Sequence, residues 1–152
     1  MSTWIEQYGY WAVLLGTIVE GEASYLAGII SSRLTDLNPF IIALCGFIGG
    51  MIRDFTIYSA AFKGAQTKWI SKRINQEKLE KVRNWIERRP FYFLIFHRYA
   101  YGFSTAAMIV LGAARYPVHR YILLTITACF VWVLGYGILG YFFSDLVMRW
   151  MG

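Results

Sequence analysis

At 152 residues, 57% apolar and 18% aromatic but only 16% charged, the chain departs from the roughly 25% charged composition of soluble domains and leans toward lipid. Its length suits one domain, and its six Trp, eleven Tyr and eleven Phe suit a protein with rings at the boundary of hydrocarbon and headgroups. The formal charge of +6 is gathered between Lys63 and Arg89, where nine basic residues meet only Glu77, Glu80 and Glu87, a pattern better explained by a cytoplasmic loop between membrane-grade flanks than by nucleic-acid binding.

The first seven residues carry Glu6 and no Lys or Arg, unlike the basic start of a cleavable signal peptide. Charges then cut the chain into apolar stretches at 8–19, 23–32, 37–52, 55–62, 90–96, 99–114 and 121–144. Only 121–144 gives the roughly 20 apolar residues that a spanning helix needs. The others are shorter, several are broken by Gly46, Gly49, Gly50 or Gly102, and they read as buried or re-entrant segments. Such segments persist at membrane depth only where protein covers their freed backbone or they line a wet cavity, which points to a channel or transporter interior. Residues 37–62 still predict a spanning helix if Arg53 and Asp54 face that cavity, with Asn38-Pro39 at its start and Pro39 in the first turn, where the missing N–H is harmless.

In the basic stretch, Trp69, Ile70 and Ile74, then Leu79, Val82, Trp85 and Ile86, recur at spacings of three and four. They predict an amphipathic helix, or two with a break near Asn75, lying on the cytoplasmic surface with its tryptophans in the interface and able to touch anionic lipid; a solvated helical hairpin is the alternative. The chain thus divides into a first half (1–62), a basic cytoplasmic linker (63–89) and a second half (90–152) of one membrane domain. A weak repeat relates the halves: Asp54 and Tyr58 lie 15 and 19 residues after Pro39, as Trp132 and Tyr136 do after Pro117. Glycine-interrupted segments precede both prolines, a pattern of inverted-repeat transporters with a midplane site.

Glu20 and Glu22 follow only twelve uncharged residues, 8–19. An ionised carboxylate in hydrocarbon costs about 2.5–3.5 kcal/mol on insertion scales, so these acids either protonate, find a cation, or sit solvated at the end of a short helix in the headgroup region. Two neighbouring carboxylates that resist ionisation spread their proton affinities, and one then holds a proton at neutral pH. Asp54 has Tyr58 one turn on along the same helix face, while Arg53 points about 100° away; each predicts a partner of its own. For Asp54 the readings are the cavity or an ordinary structural ion pair. Arg98 stays charged at any physiological pH and its planar fork fits phosphate oxygens. It either receives an anionic headgroup or closes a salt bridge to Asp54 or Glu22. His97 has proton-shuttle chemistry but reads as structural, and Arg115, His119 and Arg120 around Pro117 read as a solvated connection or interfacial anchor.

Cys45 and Cys129 are isolated in apolar runs, which predicts packing thiols with neither disulfide nor zinc site. No GxSxG, HExxH, P-loop or GxGxxG occurs, and two histidines are too few for a lipid phosphatase. No catalytic residue, cofactor or metal is therefore expected.

The segments Glu6-Gln7-Tyr8-Gly9-Tyr10-Trp11-Ala12-Val13-Leu14-Leu15-Gly16, Val19-Glu20-Gly21-Glu22 and Ala27-Gly28 resemble the start of the DedA family of membrane proteins, also called the SNARE-associated or VTT-domain family. The resemblance continues through Gly49-Gly50, Asp54, Tyr58 and Gly64, then Arg98-Tyr99, Gly102 and Thr105. It reaches Leu111-Gly112, Arg115-Tyr116-Pro117, Arg120-Tyr121, Trp132 and Leu139-Gly140-Tyr141-Phe142. It implies an all-α, polytopic bacterial inner-membrane protein with paired re-entrant helical hairpins. It also implies flipping of undecaprenyl phosphate, a polyprenyl phosphate carrier lipid, coupled to protons or Na+. The family's embedded acids map onto Glu20 or Glu22 and onto Asp54, and its first essential arginine onto Arg98.

The chain departs from the family where Ser104 replaces a second arginine and Arg53 replaces the glycine before the motif aspartate. Arg53 is expected to supply the displaced charge and, with Arg98, to bind phosphate. Glu20, Glu22 and Asp54 are expected to couple ions, and Gly28, Gly102 and Gly112 to act as hinges. The interval from Glu22 to Gly28 is a residue short, and the sequence ends soon after Tyr141 without the extra terminal helix of some relatives. The expected partners are the lipid substrate and protons or Na+, with a homodimer as an option and no nucleic acid. Two alternatives remain: a proton-coupled exporter or antiporter of a small cation, and a non-transporting envelope scaffold.

Overall fold

The computed structural model describes residues 2–67, 72, 75–90, 92–93, 99 and 103–151. It is an all-helical structure, with no strand among the described residues. Six helices are described: α1 Ser2–Val19, α2 Glu22–Leu34, α3 Pro39–Gly64, α4 Gln76–Arg88, α5 Phe103–Ala113 and α6 Val118–Met151. Stretches 37–52 and 55–62, separated in sequence by Arg53 and Asp54, join in the single 26-residue α3. At 1.5 Å per residue this helix is about 39 Å long, enough for a hydrocarbon core of about 30 Å. The 34-residue α6 extends the apolar stretch 121–144 at both ends. Only 28% of the most apolar window of α3, and likewise of α6, is buried, whereas the core helix of a soluble protein is mostly covered. Rings such as Phe40, Phe130, Phe142 and Trp150 are instead more than half exposed, and lipid is the environment that suits them. The chain is a membrane protein.

The helix ends follow local chemistry. Gly21 turns α1 into α2 with φ +80°, a backbone region that side chains rarely enter. The resulting hairpin is held by small residues: Gly16 faces Ser24, and Gly28 faces Val13 and Ile42. After α2, the Thr35 N–H and hydroxyl both donate to the Ser31 carbonyl. The Asn38 side chain accepts from the Phe40 N–H at 2.9 Å, capping a helix whose first residue is Pro39, as its fixed φ favours. The Tyr10 hydroxyl accepts the Asn38 N–H at 2.8 Å and ties this loop to α1. Asn75 caps α4 by accepting from the Lys78 N–H at 3.3 Å, so a helix does begin at the predicted break; the Trp69, Ile70 and Ile74 part of that pattern lies outside the described residues.

Two compact units divide the chain: one comprises 1–53 and 130–152, the other 54–129. The first has its core at Val13, Tyr25, Ile29, Leu37, Ile42, Trp132 and Val133. Tyr25 is its centre, fully buried, its ring 5.0 Å from that of Trp132 and its hydroxyl donating to the Val133 carbonyl at 2.9 Å. The core of the second gathers Tyr58, Ile86, Phe93, Ala107, Met108, Leu111, Tyr116 and Tyr121. Ile86 there seats the amphipathic α4, and a Cβ on Gly112 of α5 would lie 2.5 Å from the Tyr58 carbonyl oxygen, so this helix contact admits only glycine.

Candidate functional site

The turn between α1 and α2 presents Glu20 and Glu22 differently. Glu20 is exposed in the turn itself, its N–H donating to the Gly16 carbonyl at 2.8 Å. Glu22 is 8% exposed and opens α2, where unsatisfied N–H groups and the helix dipole favour negative charge by about 0.3–1 kcal/mol. Between them Gly21 receives the Arg53 guanidinium: a Cβ at Gly21 would stand 2.6 Å from Arg53 Nη1. Arg53 is half-buried on α3, so an anionic turn and a fixed cation share one site in this unit. One helical turn before Arg53, Gly49 abuts the Leu14 carbonyl and Thr17. Thr17 is fully buried, and its hydroxyl finds no hydrogen-bond partner among the described residues.

Asp54, in the other unit, is 1% exposed. Its carboxylate Oδ2 lies 4.0 Å from the Cys129 thiol, and its backbone carbonyl accepts the Tyr121 hydroxyl at 2.9 Å. Tyr121 stacks on Tyr58 with centroids 3.9 Å apart, and the Tyr58 hydroxyl donates to the Tyr116 carbonyl at 2.5 Å. An aromatic wall thus braces the turn of α3 that carries Asp54. Near the start of α6, Glu87 holds Arg83 at 3.4 Å and Arg120 at 3.7 Å. Burial pushes the Tyr116 phenol above its ordinary range; Glu87 adds to the shift, and Arg120 and Arg83 oppose it. Arg115, His119 and Arg120 are exposed, which suits a solvated connection and an interfacial anchor alike.

Of the residues expected from sequence, Glu20, Glu22 and Arg53 meet at one turn, and Asp54 is buried in its own unit. Gly28 and Gly112, expected as hinges, occupy close contacts inside helices. Arg98, His97 and Gly102 lie outside the described residues, and Ser104 is placed within α5. Cys45 is half-buried and Cys129 buried; no metal-binding cluster occurs among the described residues. The sequence reading missed the cluster in which Arg33 pairs with Asp145, donates to the Tyr141 hydroxyl at 2.7 Å and lies over the Tyr141 ring. Its signal was available, since Arg33 and Asp145 are the charges that end stretches 23–32 and 121–144.

Residues 22–142 match the VTT domain. Over 153 aligned residues the chain is 31% identical to Inner membrane protein YohD of Escherichia coli (strain K12), with 99% of this chain and 79% of that protein covered. No solved structure matches. The chain belongs to the VTT-domain family, also called the DedA family.

Proposed function

We propose that this protein translocates a polyprenyl phosphate carrier lipid, undecaprenyl phosphate, across the bacterial inner membrane, coupled to a proton or Na+ gradient. The observation that carries the reading is the burial of two acids, Asp54 at 1% and Glu22 at 8% exposure, within helices whose outer faces suit lipid. Acids at such depth mark ion pathways rather than passive structure. In this reading Arg98 receives the lipid phosphate and Arg53 supplies a second cation at the Glu20-Gly21-Glu22 turn, in place of the arginine that Ser104 replaces. Protonation of Glu22 and Asp54 offsets charge while the headgroup crosses, lowering the barrier that a bare charge meets. No covalent step is involved, so the protein is not an enzyme.

The α1–α2 hairpin, too short to cross and return at full depth, is re-entrant in this proposal, and a counterpart precedes Pro117 to complete an inverted repeat. The protein is multi-pass, with 63–89 cytoplasmic by the excess of basic residues. Transfer of labelled undecaprenyl phosphate in proteoliposomes tests the proposal, comparing wild type with Arg98→Ala at two pH gradients. Flipping that needs Arg98 and follows the gradient supports it. Equal, near-background rates in both proteins reject it in favour of small-cation transport or a scaffold role.

A further inference from the structure

Within the unit formed by 1–53 and 130–152, α2 lies along α6 in a single register. Tyr25, Ile29 and Arg33 recur at every fourth residue of α2 and so share one face. They meet α6 in the same order: the Tyr25 hydroxyl donates to the Val133 carbonyl at 2.9 Å, Ile29 packs against Gly140, and Arg33 pairs with Asp145. The middle of this contact has nothing to interlock. A Cβ at Gly140 would stand 2.8 Å from Ile29 Cγ2, and one at Gly137 3.1 Å from the Tyr25 hydroxyl, so α6 offers a bare backbone on which α2 rests closely. Beside the contact a groove of about 360 Å³, lined by Ile29, Ala43, Val133 and Ile138, leaves α2 room to tilt.

At the end of α2 remote from Glu22, Arg33 lies over the Tyr141 ring, 4.1 Å from its centroid. Its Nη1 donates to the Tyr141 hydroxyl at 2.7 Å and its Nη2 to Asp145. Arg33 is 27% and Asp145 42% exposed, and an ion pair so accessible is held weakly. The closed cluster also leaves Arg33 Nε buried with no hydrogen-bond partner among the described residues, a cost that release removes. Both helices are softened at this level. The Ser32 and Ser144 hydroxyls donate to the carbonyls of Ile29 and Tyr141 at 2.6 and 2.7 Å, in competition with the helices' own bonds.

We propose that Arg33, Tyr141 and Asp145 form a gate latch. Closed, it holds α2 on the glycines of α6. Released, it lets this end of α2 swing away and opens a path from the non-cytoplasmic side toward Glu22, buried at the other end of the same helix. The tip of the hairpin stays anchored in both states, by Arg53 against Gly21 and by Tyr25 on the Val133 carbonyl, so the pivot lies there. The side follows from orientation: α2 leads through Asn38 into α3, whose far end carries Lys63 and leads into the basic segment, which marks the cytoplasm. The latch deepens the transport reading and rests on it for its purpose, while its opening is measurable without any transport.

Cysteine chemistry on the full chain, with Cys45 and Cys129 replaced by serine, tests the latch in two arms. In spheroplasts, Ile29→Cys reports opening, because Ile29 is 4% exposed while α2 rests on Gly140. Its labelling by a membrane-impermeant maleimide is expected to be at least about threefold faster with Asp145→Asn, the effect of losing one accessible ion pair. Arg33→Gln, which also vacates the Tyr141 ring, is expected to speed it further. Exchanging the charges, Arg33→Asp with Asp145→Arg, is expected to slow labelling back toward the latched rate. Labelling unchanged by Asp145→Asn, or as fast in the exchanged pair as in Asp145→Asn, overturns the inference. In proteoliposomes, Arg33→Cys and Asp145→Cys are joined by a short, reducible bis-thiosulfonate linker. Transfer of labelled undecaprenyl phosphate is expected to fall at least about tenfold in the linked protein and to return on reduction; full transfer in the linked protein overturns the gate. Background transfer with the latch residues intact rejects the transport reading instead, and the labelling arm still decides whether the latch opens.

Discussion

Gly21 is held by two separate constraints. Its φ of +80° lies where a side chain costs about 1–3 kcal/mol, and Arg53 Nη1 occupies the space a Cβ would need. Gly21→Ala is therefore expected to destabilise the protein by about 1–3 kcal/mol in detergent unfolding, plus the cost of moving Arg53. In an Arg53→Gly background only the backbone part should remain, so a double-mutant cycle will show coupling between the two positions. The contrast between its neighbours yields a second expectation. Glu22 is buried and Glu20 exposed, so Glu22→Gln should reduce lipid transport by at least about tenfold, a loss of about 1.4 kcal/mol, and Glu20→Gln by less. Exchange of the guanidinium makes a third: Arg53→Gly should abolish transport and Ser104→Arg should partly restore it, and absence of both effects contradicts the displaced-charge reading.

The helices and their limits were largely legible in the sequence because local chemistry decides them. Pro39 fits only the first turn of α3, Asn75 offers a side-chain acceptor where α4 begins, and the break at Glu20-Gly21 separates two apolar runs too short to merge. Contacts made by residues more than a hundred positions apart were not legible. Tyr25 reads as one more interfacial aromatic until its hydroxyl is seen on the Val133 carbonyl, and Arg33 reads as a helix terminus until Asp145 meets it. Each depends on chain return through α6, which periodicity does not encode. Two element-level outcomes follow from these contacts. Tyr25→Phe keeps the ring against Trp132 but leaves the buried Val133 carbonyl without this donor, and should cost about 1 kcal/mol of stability. Asn75→Ala removes the cap of α4 and should cost about 0.5–2 kcal/mol, visible as faster amide exchange across 76–80.

For the whole molecule, the basic excess between Lys63 and Arg89 and the length of α3 set an orientation. Lys63 in the last turn of α3 is expected on the cytoplasmic side and Asn38 at its start on the opposite side. With Cys45 and Cys129 replaced by serine, Lys81→Cys should resist a membrane-impermeant maleimide in spheroplasts and Asp36→Cys should react; the reverse pattern would invert the topology. The candidate site was legible in part, because acids inside apolar sequence are costly enough to stand out. Its arrangement was not, because adjacency of Arg53 and Asp54 says nothing of which neighbours each side chain meets. The central claim is that a buried acid couples lipid movement to an ion gradient, and Asp54→Asn tests it most directly. Undecaprenyl phosphate transfer should be measured in proteoliposomes of wild type and Asp54→Asn while a pH gradient and, in a separate series, a Na+ gradient is imposed in one direction and then reversed. Wild-type transfer that changes with the direction of either gradient, and at least about a tenfold loss of that response in Asp54→Asn, is the predicted result. Transfer indifferent to both gradients in wild type, or an undiminished response in Asp54→Asn, would contradict the account.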